Sequence, residues 1–352
     1  MGEGRDGAMK RAAALAAAAL LLALAGAGAL AWRQLALFRD TPFGSLEERV
    51  VALPPGASAR AVVRALARSG TLSDERMAWW YVRLVRRDPR PFRAGEYAFS
   101  GPLRPDEVLE RVYRGEVRLH RVTIPEGLRA DEVAALVGRS GLATEADFLL
   151  AVRDASLAQA LGLPYPSLEG FLFPDTYSFP LGVTARAIAT AMVDRFKEEY
   201  AKAEALRAPG VVFTMGEVAT FASIVEKETG QPEERPRISC VFHNRLRMGM
   251  RLQTDPTVMY ATLLRTGRWS KNITRADLLA PHPYNTYTTA GLPPGPIANA
   301  GAAALRAALS PATCKDLYFV SRNDGTHVFC ADLRCHNEAV QHWQVEFFRH
   351  GH

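Results

Sequence analysis

The chain carries a long uncharged segment close to its N-terminus. Residues Ala12 to Trp32 have no charged side chain over 21 positions and directly follow Lys10 and Arg11. A helix that crosses a bilayer requires about 20 apolar residues, so the segment predicts a transmembrane anchor at 12–32. Basic residues collect on the cytoplasmic side of such a helix, which predicts a cytoplasmic tail at residues 1–11.

A cleaved signal peptide is the alternative interpretation of this segment. Ala29-Leu30-Ala31 matches the small-residue pattern of a cleavage site. The apolar core of a signal peptide is usually about 7–15 residues long, which is shorter than this segment, so a retained anchor is favoured. Both interpretations place the remaining chain outside the cytoplasm.

Length and composition are those of a globular protein with about two domains. The chain has 352 residues, of which 48% are hydrophobic and 23% charged, and these fractions are ordinary for folded proteins. The net charge of +6 favours anionic surfaces such as phospholipid headgroups or wall polymers. It is not a nucleic-acid signature by itself, and no nucleic-acid partner is predicted.

Residues 49–121 predict a small unit of strands and helices, preceded by a linker at 33–48. The predicted elements are a strand at 50–53, a helix after Ser58, a helix after Asp74, a strand at 94–99, a helix at 105–114 and a strand at 119–124. The consecutive aromatic residues Trp79, Trp80 and Tyr81 suggest sugar stacking. Because neighbours on a helix point in different directions, at least one of the three is predicted to lie in the core.

A capping box marks the start of a central helix. Thr214 and Glu217 have the spacing at which each side chain accepts a hydrogen bond from the other residue's amide. The helix is predicted to run to Thr229, with Gly230 placed to end it.

This helix carries a candidate general acid near its C-terminal end. At about 100° per residue, the apolar side chains form a face that contains Glu228, whereas Glu226 points away from the centre of that face. Burial raises the pKa of a carboxyl group, as a general acid near neutral pH requires. The alternative is a structural ion pair with Arg245, Arg247 or Arg251.

The chain also contains four ordered segments: EGFLFPDTYSF from Glu169, ASIVEKET, FHNRLRMGMRLQTDPTVMY and YNTYTTAGLPPGPIANAG. Their amides, hydroxyls and aromatic rings suit a hydroxyl-rich ligand such as a sugar, and no glycine-rich phosphate loop is present. Together the segments resemble the endolytic murein transglycosylase (YceG-like) family, over most of the chain.

The resemblance implies a fold and an activity. The fold is α+β, with the N-terminal transmembrane helix, a LysM-like βααβ module at 49–121 and a larger mixed α/β catalytic domain at 122–352, whose residues 122–180 form a linking segment. The activity is that of a lyase, which cleaves the MurNAc–GlcNAc bond inside peptidoglycan strands and leaves 1,6-anhydro-MurNAc ends. The family's catalytic glutamate corresponds to Glu228, which the helical pattern selects independently.

The resemblance also implies a set of glycan contacts and partners. Positions that match family motifs are predicted to bind the glycan: Asn244, Arg245, Gln253, Thr254, Asp255, Tyr284, Asn285 and Tyr287. The cleft is expected between the Glu228 helix and the loops at 284–296. The expected location is the bacterial inner membrane with the catalytic domain periplasmic, and the expected partners are nascent glycan strands and the peptidoglycan synthases of elongation or division.

Only one carboxylate is required, because the attacking group in this reaction is the sugar's own C6 hydroxyl. Asp255 could stabilise positive charge or cap the helix that begins at Pro256, and the cap is favoured. A hydrolase would need a second carboxylate about 5–10 Å from the first. Candidates for that second group are Glu226, Glu169 and Asp175. A wall-binding scaffold without catalysis is the other alternative.

Cys240, Cys314, Cys330 and Cys335 fit no usual zinc spacing, and neither a metal nor a cofactor is predicted. Outside the cytoplasm their even number suggests disulfides, with three connectivities open. Cys330 and Cys335 are close enough in sequence to bridge across a turn, whereas Cys240 has the alternative of simple burial. Of the histidines, His327 and His336 are candidates for the cleft, although a structural role is favoured for both.

Overall fold

The structure is a computed structural model that describes residues 3–349. The chain divides into two compact units, one up to Leu119 and one from His120. Helices and short strands are mixed in both units, as predicted, and the strands form three two-stranded sheets in the described residues. Each sheet is too small to be stable alone, so the helices provide most of the core.

The first unit begins with a single long helix, α1 (Glu3–Asp40). Within it, the stretch Met9–Asp40 is long and apolar enough to cross a membrane, and the 18-residue window of highest hydropathy is fully exposed. The helix continues past the predicted end at Trp32 instead of changing into a linker. Leu35 and Phe38 explain the extension, because both are buried in the core of the first unit.

The remainder of the first unit has the predicted order of elements. These are β1 (Arg49–Leu53), α2 (Ala59–Arg68), α3 (Glu75–Trp80) with a π-helical continuation at Tyr81–Arg86, β2 (Gly95–Phe99) and α4 (Pro105–Arg114). β1 pairs antiparallel with β2, so that Arg49 lies opposite Phe99 and Leu53 opposite Gly95. The predicted N-caps are confirmed, since Ser58 accepts from the Ala61 amide and Asp74 from the Met77 amide.

Apolar spacing accounts for the packing of this unit. Four side chains of this unit are completely buried: Val63 and Leu66 of α2, and Val108 and Leu109 of α4. These positions lie on the inner face of each amphipathic helix. Of the three consecutive aromatic residues, Tyr81 is the core residue. The prediction that at least one of them is buried is therefore confirmed.

The second unit is larger and mostly helical. Its elements are β3 (Leu119–Thr123), α5 (Ala130–Ser140), α6 (Glu145–Val152), α7 (Ala155–Ala160), β4 (Thr176–Pro180), α8 (Ala185–Glu204), α9 (Met215–Glu228), a 3-10 turn (Pro232–Glu234), α10 (Arg235–Arg247), α11 (Asp255–Thr266), α12 (Arg275–Leu279), α13 (Ala302–Leu309), β5 (Tyr318–Ser321), β6 (His327–Cys330), α14 (Leu333–Val340) with a π-helical continuation at Gln341–Glu346, and α15 (Phe347–Arg349). β3 pairs with β4, and β5 pairs antiparallel with β6.

Helix α9 is the centre of the second unit. Its capping box is confirmed, since Thr214 accepts from the Glu217 amide and Glu217 accepts from the Thr214 amide. The expectation of a single apolar face is wrong, because every residue from Val218 to Glu226 is buried. Helices α10, α11 and α13 pack around α9, and a helix covered on all sides buries residues that a wheel places outside its apolar face.

Two disulfides join segments of the second unit. Cys240 in α10 is bonded to Cys314, and Cys330 at the end of β6 is bonded to Cys335 in α14. The local bridge matches the expectation for neighbouring cysteines. Cys240 is both buried and bonded, a pairing that its sequence position did not reveal.

Candidate active site

A polar cleft lies at the C-terminal end of α9, where Glu228 is the last residue of the helix. The cleft has a volume of about 370 Å³, within the range of roughly 300–1,000 Å³ found for ligand sites. Its lining consists of Glu228, Phe242, Arg245, Leu252, Gln253, Asp255, Tyr287, Phe319 and His336. Of the predicted loops at 284–296, the cleft uses Tyr287, and β5 and α14 supply part of the remaining wall.

The environment of Glu228 favours the neutral acid. Burial and, to a smaller extent, the negative charge of Asp255 raise the pKa of this carboxyl group to about 8, and the positive charge of Arg245 opposes the shift. Glu228 is half-buried, and it has no hydrogen-bond partner in the described part of the chain. A carboxyl group with a pKa above 7 carries its proton at neutral pH, as a general acid must.

Arg245 is the cation of the cleft, and backbone carbonyls hold it in place. Its guanidinium donates to the carbonyls of Leu317 and Leu252, both at 2.6 Å. It also lies over the ring of Tyr318, 5.2 Å from the centroid. The side chain therefore stays near Glu228 without forming the direct ion pair that the alternative interpretation of Glu228 required.

The segment before α11 forms one wall of the cleft. Gln253 has a left-handed backbone, with φ of +52°, which is uncommon for a residue other than glycine. Two hydrogen bonds fix the loop to Thr286. The Gln253 amide donates to the carbonyl of Thr286 at 3.2 Å, and the Thr254 amide donates to Oγ1 of Thr286 at 3.0 Å. Gln253 itself is exposed, and its side-chain amide faces the cleft without a partner among residues 3–349.

Asp255 does not cap α11. Thr254 occupies the N-cap position, and Asp255 is the first residue of the helix. The Asp255 carboxylate instead accepts a hydrogen bond of 2.7 Å from the hydroxyl of Tyr287. The favoured cap interpretation is therefore wrong, and the Asp255 carboxylate lines the cleft.

Four of the predicted glycan contacts lie away from this lining. Asn244 is buried and donates to the carbonyls of Cys314 and Asp316. Asn285 is completely buried and donates to three carbonyls at the C-terminal end of α12. Tyr284 packs against the ring of Tyr260, with 5.0 Å between centroids.

Thr254, the fourth of these residues, is buried and is not part of the lining. Its Oγ1 has no hydrogen-bond partner among the described residues.

The three candidates for a second carboxylate all lie outside the lining of the cleft. Glu226 is buried and forms an ion pair with Arg235 at 2.7 Å. Glu169 accepts from the amide of Ala130 at the start of α5, and burial raises its pKa to about 7. Asp175 forms an ion pair of 2.8 Å with Arg195 on the surface of the unit. The carboxylate that does share the cleft with Glu228 is Asp255.

His336 lines the cleft, whereas the sequence pattern favoured a structural role for it. It lies in α14, next to the bonded Cys335, with its ring centroid 5.0 Å from that of Tyr318. Its Nδ1 atom is buried and has no hydrogen-bond partner within the part of the chain that is described. His327, the other candidate, pairs with Glu234 at 2.7 Å and so has the structural role expected of it.

Known proteins are similar in sequence to this chain over most of its length. Residues 51–342 match the YceG-like family. An endolytic murein transglycosylase of Bacillus subtilis (strain 168) is 30% identical over 312 residues, which cover 82% of this chain and 83% of that protein. A protein of the same name from Streptococcus pneumoniae (strain D39) is 27% identical, over 86% of this chain and 60% of its own length.

The fold has a counterpart among crystal structures. A YceG-like protein from Listeria monocytogenes superposes with a TM-score of 0.56 at 32% sequence identity, over 84% of this chain and 99% of the other. The sequence match and the shared fold lead to one conclusion: the chain belongs to the YceG-like family.

Proposed function

We propose that this protein is a membrane-anchored endolytic peptidoglycan lytic transglycosylase, and that Glu228 is its catalytic acid and base. The enzyme cleaves the MurNAc–GlcNAc bond of nascent glycan strands, leaves 1,6-anhydro-MurNAc ends and so can terminate strand elongation. The observation that carries this proposal is a half-buried carboxyl group with a pKa of about 8 in a polar cleft. The names of the relatives supply the substrate class.

The reaction uses one carboxyl group twice. Neutral Glu228 donates its proton to the glycosidic oxygen, the bond between C1 of MurNAc and that oxygen breaks, and GlcNAc leaves with a hydroxyl group. The Glu228 carboxylate then accepts the proton of the C6 hydroxyl as that oxygen attacks C1. No water is consumed, and the tethered hydroxyl replaces an external nucleophile.

The neighbouring groups stabilise the charges that appear between the two steps. The Asp255 carboxylate, oriented by Tyr287, faces the positive charge that develops at C1. Arg245 stabilises Glu228 while it is ionised, as its opposing effect on the pKa indicates. Gln253 and His336 bring polar atoms to the same cleft and are assigned to hydroxyl or acetamido groups of the glycan.

The wider organisation follows from the same proposal. Helix α1 anchors the chain in the inner membrane with its N-terminal tail cytoplasmic, and the second unit acts in the periplasm. Two disulfides support an oxidising compartment for the second unit. The β-α-α-β arrangement of residues 49–121 supports a LysM-like module, and residues 122–352 form the catalytic domain, with 122–180 as the linking segment. Partners are glycan strands and peptidoglycan synthases.

Mass spectrometry of peptidoglycan digested by the full-length protein in detergent tests the function. We expect 1,6-anhydro-MurNAc ends from the wild type and from a Glu233→Gln control, whose carboxylate is exposed, and none above background from Glu228→Gln. Equal activity of Glu228→Gln would contradict the assignment of the acid. Glycan binding without cleavage by the wild type would favour a scaffold.

A hydrolase is the second candidate, because Asp255 shares the cleft with Glu228. In that reaction Asp255 would act opposite the acid as a base or nucleophile. The same digest distinguishes the two reactions, since hydrolysis leaves reducing ends in place of anhydro ends.

A further inference from the structure

We propose that the first unit docks on the lipid bilayer through an apolar groove between α1 and α3, in addition to its transmembrane anchor. The groove has one wall on each helix. Its lining, called the α3 groove below, consists of Ala27, Leu30, Ala31, Gln34, Leu35, Met77, Trp80 and Leu84. The occupant that we assign to it is the acyl chain and headgroup region of phospholipid.

The first argument is the depth of the groove in the membrane. Lys10 and Arg11 fix the start of the apolar segment, and about 20 residues at 1.5 Å per residue bring the helix to the far side of a hydrocarbon core of about 30 Å. That point is near Ala31, so the part of the groove from Ala27 to Ala31 lies within the membrane. Because the same residues line the groove with Trp80 and Leu84, this part of α3 reaches the same depth.

The side chains that line the groove are those expected of an interfacial surface. Trp80 is 46% exposed and Leu84 is 42% exposed, although both are large apolar residues of a folded unit. Tryptophan is enriched at the boundary between lipid and water, and Trp32 lies exposed on α1 one residue after the groove residue Ala31. The exposed apolar surface is therefore continuous with the lipid-facing surface of α1.

The second, independent argument is the positive charge beside the groove. Arg76, Arg83 and Arg87 are exposed beside the groove residues of α3 and its continuation, and none of the three has an acidic partner in the described structure. An amphipathic helix with tryptophan and leucine on one side and basic residues around them lies in a membrane interface. Each basic residue near an anionic surface adds attraction, so anionic phospholipid is the favoured occupant over a second protein helix.

The docking has a consequence for the unit. A helix that emerges from a bilayer as a single rod leaves the attached domain free to tilt. Leu35 and Phe38 fix α1 in the core of the first unit, and the α3 groove gives that unit a second attachment to the membrane. The height and tilt of the unit above the bilayer are then set. This inference depends on α1 crossing a membrane, which is part of the proposed function.

Photo-crosslinking of the full-length protein in nanodiscs tests the docking. Leu84 is replaced by p-benzoylphenylalanine, and the matched control replaces Val50, which is 41% exposed but lies on β1 outside the groove. The nanodiscs contain phosphatidylglycerol and phosphatidylcholine. After irradiation, mass spectrometry is expected to show phospholipid adducts at position 84 and none above background at position 50.

Separate results identify which premise fails. Retention of the protein in the membrane under alkaline carbonate extraction checks the anchor by itself. With the anchor retained, an absence of lipid adducts at position 84, or adducts to another protein, would overturn the docking and leave the proposed function intact. Release by carbonate would overturn the anchor and the docking together.

The arginine contribution has its own measurement. The triple variant Arg76→Gln, Arg83→Gln, Arg87→Gln is expected to lower the adduct yield at position 84 by about fivefold or more in anionic nanodiscs, since the attraction of one basic residue to an anionic surface, about 1 kcal/mol, already corresponds to about fivefold. In nanodiscs of phosphatidylcholine alone the yield should be unchanged by the substitutions. An equal yield in both lipids would contradict the assignment of anionic headgroups.

Discussion

Two glutamates near the end of α9 differ more in environment than in position. Glu226 is buried and forms an ion pair with Arg235, and its second oxygen accepts from the Gly301 amide at 3.1 Å. Glu228 lies two residues later, at the solvent cleft, with no direct partner in the described residues. Both pKa values are raised by burial. The comparison indicates that hydrogen-bond and ion-pair partners, and not burial alone, distinguish the structural carboxylate of Glu226 from the carboxyl group that we propose as catalytic.

Substitution of Glu228 is expected to have the largest effect on activity. The Glu228→Gln substitution removes the only proton donor assigned to the reaction, so we expect cleavage to fall by about 10²–10⁴-fold. Initial rates of anhydro-end formation measure the loss. Thermal unfolding of the variant serves as the control for folding, because Gln keeps the shape of the side chain.

Substitution of Glu226 is expected to lower the stability of the protein. Glu226→Gln leaves Arg235 buried without its closest counter-charge, and loss of one partner of a buried ion pair costs about 3–5 kcal/mol. We expect a lower free energy of unfolding in urea titrations. A double variant that also replaces Arg235 by Met should recover part of the loss, and an unchanged single variant would contradict the structural role.

A smaller effect is expected at His336. Its substitution by Ala removes a polar contact to the glycan, and one hydrogen bond corresponds to about 0.5–1.5 kcal/mol, or roughly 2–10-fold in kcat/KM. His327→Ala, outside the cleft, is the matched control for activity. A larger effect from the control than from His336→Ala would argue against the contact.

The last expected effect is a shift in the pH dependence of activity. Activity should fall as pH rises through about 8, because Glu228 then loses the proton that it donates. Asp255 raises this pKa through its negative charge, so Asp255→Asn should lower it and move the alkaline limb to lower pH. Asp194→Asn on α8 should leave the profile unchanged, and a shift to higher pH in the Asp255 variant would contradict the assignment.

Local signals were sufficient for much of the secondary structure. The capping box at Thr214 and Glu217, the N-caps Ser58 and Asp74 and the helix at 105–114 depend on interactions within a few residues. Such interactions are visible in the sequence because the partners are neighbours along the chain. The same is true of the long apolar helix α1, whose character depends on composition.

Only some of the predicted site residues line the cleft. The fold brings Glu228, Arg245, Gln253, Asp255 and Tyr287, which the family resemblance selected, to one cleft. The resemblance could not show that the amides of Asn244 and Asn285 satisfy buried carbonyls instead. Residues in a polar motif divide between ligand contacts and backbone support, and the difference depends on which groups the rest of the fold leaves unpaired.

Three features could be predicted from the amino-acid sequence: the membrane-compatible helix, the capped helices and a glutamate at the end of the central helix. Tertiary structure alone decided that α9 is buried on every side, that Glu226 meets Arg235, that Cys240 meets Cys314 over a separation of 74 residues, and that His336 enters the cleft. The physical reason is distance along the chain. Local hydrogen bonds act between neighbours, whereas desolvation and charge act between any groups that packing brings together.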